Sequence, residues 1–224
     1  ELAASEFIHL AEETGLILDL GLFVLDRAAR QLGQWQRMLR VDPPLFVHVN
    51  VSSRQLLRHD LIQDLKAVLA RNVVAPGSLK LEVGESLVME NPEYAAVVLG
   101  RMREMGAGLV LDGFGAGYSS LAYLQRFPFD TIKIDQRFVR DTAKGPARAA
   151  RPVIVAALID LAHDLGMDLV ASGLERESEA VEMAQLGCEY SQGIVFGEPL
   201  TADECRALIE PAPVEPKKRR AAAE

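Results

Sequence analysis

Apolar residues at Leu22, Leu25, Ala29, Leu32, Trp35 and Leu39 recur every three or four positions, the period of one buried helix face. Directly after them, residues 45–50 form a β-branched run of strand length. The alternation then repeats down the chain. It predicts helices over 56–69, 92–105, 152–165 and 177–186, a last helix opening at Thr201, and further strands over 79–83, 109–112, 131–134, 168–171 and 189–192. Two helix starts carry explicit caps: Asn91 followed by Pro92, and Thr201 three residues ahead of Glu204.

Six strands separated by helices imply parallel pairing through right-handed crossovers. The fold class is therefore α/β, either a (β/α) barrel or an open doubly wound sheet. Polar residues discriminate between these. A barrel carries reactive groups at the C-terminal ends of many strands, whereas an open sheet gathers them at one switch point. Here the strands end in Asn50, Glu82, Asp112, Lys133 with Asp135, Ser172 with Glu175, and Gln192. That distribution predicts the mouth of a TIM-like barrel. His48, two residues before Asn50, shares its side of the strand one layer deeper and reads as a packed or hydrogen-bonded histidine rather than a ligand.

The chain has 224 residues and a formal net charge of −8. That is length enough for one sizeable core, and too acidic a balance for a broad electrostatic grip on nucleic acid or anionic lipid. Residues 1–210 are read as one barrel domain and 211–224 as a disordered, charged tail, because a proline-spaced stretch there leads into the basic run 217–220. Cys188 and Cys205 lack metal-site or disulfide-framework spacing. No apolar stretch approaches a membrane span, since even 16–25 is broken by Asp19 and Gly21. Neither nucleic acid nor membrane is an expected partner.

Residues 113–120, Gly-Phe-Gly-Ala-Gly-Tyr-Ser-Ser, follow a strand, but Ala116 and Tyr118 depart from dinucleotide and Walker spacings. Alone, the segment reads as a glycine-shaped loop. The ordered series is more specific: Asn50-Val-Ser52, Leu81-Glu-Val-Gly-Glu-Ser86, Asp112-Gly-Phe-Gly, Lys133-Ile-Asp135, Ala171-Ser-Gly-Leu-Glu175 and Gln192-Gly193, with the opening 6–17 and the Leu186-Gly-Cys188 turn. From about Glu6 to the last helix this series resembles the EAL family of cyclic di-GMP phosphodiesterases.

The resemblance implies a modified eight-stranded TIM-like (β/α) barrel. Six strands are counted here, so the first two, with the Glu-x-Leu-x-Arg signature, are expected to be missing from this chain, leaving parallel edges at 45–50 and at the last strand. It also implies two Mg²⁺ or Mn²⁺ ions bridging a phosphodiester of cyclic di-GMP. By position, Asn50, Glu82 and Asp112 match metal ligands, and Lys133 matches the lysine beside the attacking water. Glu85 and Glu175 match carboxylates that hold the mouth loops, while Gln192, Asp135 and Pro199 fall at nucleotide-pocket or loop positions.

Two departures change the expected activity. The family's paired aspartates read Asp112-Gly113, and the glutamate expected before Gly173, associated with the general base, is Ser172. A general base contributes about 10²–10⁴ in rate. Lys133 and Glu175 are accordingly read as vestigial catalytic residues, Lys133 and Asp135 as an ion pair, and Mg²⁺ or Mn²⁺ binding as weakened. The expected function is a catalytically degenerate, cyclic di-GMP-binding regulatory module. One alternative is a protein-interaction scaffold that docks a partner protein or forms a homodimer through the 113–120 loop. A further one is a working phosphodiesterase yielding linear pGpG. The expected setting is the bacterial cytoplasm, within a larger multidomain signalling protein.

Overall fold

The six expected strands are present as β1 (Val47–Val51), β2 (Leu79–Gly84), β3 (Gly108–Phe114), β4 (Thr131–Ile134), β5 (Asp168–Ser172) and β6 (Tyr190–Gln192). In the computed structural model, which describes residues 4–58, 60–115, 124–139 and 146–209, they form one parallel sheet in the order β1-β2-β3-β4-β5-β6. This order separates the two topologies. A doubly wound sheet reverses at a switch point, whereas here every crossover steps the same way, so helices collect on one face and the twist curls the sheet into a half-barrel. Among the described residues, β1 and β6 each have a single strand neighbour.

The helices are α1 (Ala4–Thr14), α2 (Ile17–Met38), α3 (Ser53–Leu56), α4 (Leu61–Arg71), α5 (Glu85–Glu90), α6 (Pro92–Glu104), α7 (Gln136–Val139), α8 (Pro146–Asp164), α9 (Glu177–Gln185) and α10 (Ala202–Ile209). Strand residues such as Leu81, Leu109, Ile132 and Leu169 point toward them and share one core with Leu25, Ala29 and Leu32 of α2 and Leu99 and Met102 of α6. Strand alternation sends the intervening residues to the concave side. Val110 and Val170 are buried yet stand outside that core. The concave side is thus a second layer, and most of its other members are polar.

Two helix expectations need correction. The stretch 56–69 is broken into α3 and α4. Ser52 and Gln55 close a capping box, with Gln55 N donating to Ser52 Oγ at 3.3 Å and Ser52 N to Gln55 Oε1 at 3.0 Å, so a short helix starts early and ends before α4 begins. The helix expected to open at Pro152 instead opens at Pro146, with Pro152 inside it. Pro146 occupies the first helical position, where a missing N–H is harmless. Residues 116–120 of the glycine loop and the 211–224 tail lie outside the described residues. Among the described residues, no helix is long and apolar enough to cross a membrane.

Candidate functional site

Register brings the three expected metal ligands onto adjacent strands. Asn50 of β1 pairs with Glu82 of β2, and Asp112 of β3 pairs with Gly84. Glu82 is only 3% exposed. Its carboxylate accepts from Lys133 Nζ at 3.0 Å on both oxygens and bonds His48 Nδ1 at 2.8 Å through Oε1. The same ammonium lies 3.8 Å from Asp112. Burial works to raise the pKa of Glu82, but the His48 hydrogen bond and the Lys133 charge outweigh it and hold the group below its usual range. Asp112 goes the other way. Burial pushes its pKa up, Lys133 offsets this incompletely, and the nearby charges of Glu82 and Asp135 add to the rise. One lysine serves two carboxylates, which leaves local negative charge suited to a cation.

Lys133 does not make the expected ion pair with Asp135. Asp135 lies just past β4 and accepts instead from Arg137, from its backbone N at 2.8 Å and its Nε at 3.0 Å. A short aspartate bonding the amide two residues on is an ordinary turn device, and it captures the carboxylate before Lys133 can.

The loops at the mouth are tied by two buried glutamates. Glu85, 5% exposed, accepts from Gly115 N at 3.1 Å, which fastens the segment after Asp112 to the end of β2. Glu179 accepts the backbone amides of Glu175 and Arg176 at 2.9 and 3.0 Å, together with the Arg176 side chain. Burial alone would raise its pKa, yet these hydrogen bonds hold it at about 2. The sequence reading overlooked Glu179. A Glu three residues after the helix cap was the available signal.

Asp112, Lys133, Ser172, Glu175, Gln192 and Ile194 are among the residues lining a mouth cavity of about 330 Å³. Gln192 faces Ser172 in register. Ser172 Oγ donates to Ile134 O at 3.2 Å. Asn50 lines a different cavity of about 560 Å³, bounded mainly by apolar residues of α1, α2 and β1. Pro199, Glu85 and Asp135 do not line the mouth cavity, and Pro199 is exposed.

A family model described as the EAL domain matches residues 1–199. MucR of Pseudomonas aeruginosa, a bifunctional diguanylate cyclase/cyclic di-GMP phosphodiesterase, is 37% identical over 204 residues, covering 91% of this chain and 29% of MucR. The chain thus spans less than a third of that relative. The PaMucR phosphodiesterase solved in complex with c-di-GMP superimposes with a TM-score of 0.83 at 36% identity, over 91% of this chain and 81% of that one. BlrP1 of Klebsiella pneumoniae, solved as a calcium/cy-diGMP complex, matches with a TM-score of 0.68 at 28% identity, over 81% of this chain and 44% of that one.

Proposed function

The chain belongs to the EAL domain family, and on that footing we propose that it is a regulatory module that binds cyclic di-GMP at the half-barrel mouth without hydrolysing it at a useful rate. The uneven state of the mouth carries this reading. Asn50, Glu82, Asp112 and Gln192 occupy concave positions near the strand ends. Gly113 and Ser172 bring no carboxylate, and the Ser172 hydroxyl is turned to a strand carbonyl. Binding needs only contacts with the bound ligand, whereas turnover also needs a base, and losing one costs roughly 3–5 kcal/mol of barrier.

The donor set suits one hard divalent cation. Two carboxylates and an amide oxygen are ligands of the Mg²⁺ or Mn²⁺ type, and Asp112 carries charge that Lys133 leaves incompletely balanced. Among the described residues there is no cluster of three His, Cys, Asp or Glu side chains that could hold an ion by themselves. Asn50, Glu82 and Asp112 would hold it, and when bound it would draw a phosphate oxygen into the mouth and offset its charge. Lys133 adds a positive charge at the base of the cavity, and Gln192 offers an amide at its rim.

Calorimetric titration with cyclic di-GMP, once in Mg²⁺ and once in chelator, tests the proposal. Saturable micromolar binding that weakens in chelator supports it. Absence of binding would leave the scaffold reading, and many turnovers to linear dinucleotide would restore the enzyme.

A further inference from the structure

We infer that His48 is a positioning residue for Glu82: by donating from Nδ1 to one carboxylate oxygen, it sets which oxygen stays open toward a divalent cation. The inference rests on the reading of Asn50, Glu82 and Asp112 as that cation's ligands. Three observations carry it. First, Lys133 Nζ is 3.0 Å from both Glu82 oxygens, so the ammonium treats them alike. His48 Nδ1, at 2.8 Å, touches only Oε1. The histidine therefore breaks the symmetry and leaves Oε2 the less engaged oxygen.

Second, the proton on Nδ1 follows from the partners. An ionised carboxylate only accepts, so Nδ1 must carry a proton. His48 Nε2 is buried and has no hydrogen-bond partner among the described residues. Among the described residues Nδ1 is therefore the ring nitrogen that makes a hydrogen bond, and Glu82 is its partner. Lys80, the register neighbour of His48, places its ammonium 4.9 Å from the centroid of Phe46, the same ring that His48 stacks on.

Third, the ring is held. It stacks on Phe46 with centroids 5.2 Å apart and 30° between planes, and Phe46 meets Tyr190 edge-on at 5.2 Å. A histidine that orients a ligand through one nitrogen while packing fixes its plane is an established way of tuning a metal site.

The test uses the purified protein. In the metal-free state, nitrogen NMR of the histidines should show a hydrogen-bonded proton on His48 Nδ1, with the signal moving in Glu82→Gln. Mn²⁺ titration should show His48→Phe binding about tenfold more weakly than the natural protein, with His48→Asn, whose amide can donate from near the Nδ1 position, recovering most of the loss. A His48 ring without a proton on Nδ1 overturns the inference, as does a His48→Phe variant that binds Mn²⁺ as tightly as the natural protein. If that variant fails to fold, the Nδ1 proton and His48→Asn still decide. A natural protein that takes up no Mn²⁺ contradicts the proposed cation site and this inference together, whereas unchanged affinity in the variant contradicts this inference alone.

Discussion

Lys133 Nζ lies 3.0 Å from each oxygen of Glu82 although the two residues stand on β4 and β2, with β3 between them. The pair bridges the concave face over an intervening strand. Glu82 is 3% and Lys133 9% exposed, so removing one partner strands a buried charge.

Lys133→Met should accordingly cost about 3 kcal/mol of stability at neutral pH. Denaturant unfolding measures it. Adding Glu82→Gln should recover most of the loss, because the stranded charge disappears with it. A single Lys133→Met variant as stable as the natural protein would show that the pair contributes nothing net.

Gly113 has φ +70, and a Cβ there would meet nothing within 4 Å. Aspartate enters the left-handed region at a cost of about 1 kcal/mol, so Gly113→Asp should fold and raise the Mn²⁺ stoichiometry per chain. Hydrolysis of cyclic di-GMP should become appreciable only when Ser172→Glu is added, since ligand and base act together. Substantial turnover by either single variant would contradict this division of roles.

Gly115→Ala meets two obstacles. Its φ is +84, and the new Cβ would come within 2.6 Å of the Phe138 ring. The expected loss is about 2 kcal/mol, accompanied by weaker cyclic di-GMP binding, because the Glu85 tie to this segment is disturbed. Thermal melting and a binding titration of the same sample check both effects.

The pKa of Glu179 is lowered in the folded state from 4.5 to about 2. Its contribution to stability is therefore fully present above about pH 4.5 and is lost as pH falls toward 2. Glu179→Gln should cost about 2 kcal/mol near neutrality, or roughly 4–8 °C in Tm for a chain of this size. The gap between variant and natural protein should close as the pH is lowered through that window. A gap that stays constant with pH would show that the carboxylate charge is not what holds the loop.

Much of this architecture was legible in the sequence because it follows from local rules. The short strand-length runs between the helical stretches became β1 to β5, and Asn91 caps α6 by accepting from Tyr94 N at 3.2 Å. Thr201 and Glu204 form their reciprocal cap as well. Alternation also put Glu82, Asp112 and Lys133 on one face, which is why they meet. What was not legible depended on competition between partners across space. Spacing alone could not show that Arg137 captures Asp135, leaving Lys133 to Glu82 and Asp112. Nor could it show that Pro146 rather than Pro152 opens α8, because either proline suits a first helical position.

The most direct measurement is to incubate the purified protein with a moderate excess of cyclic di-GMP in Mn²⁺ and follow bound and linear dinucleotide in the same sample. Saturable binding with intact cyclic dinucleotide recovered after many hours is the predicted result. Steady release of linear dinucleotide well beyond one equivalent per chain would contradict it, and would mean that Gly113 and Ser172 have not disabled the site.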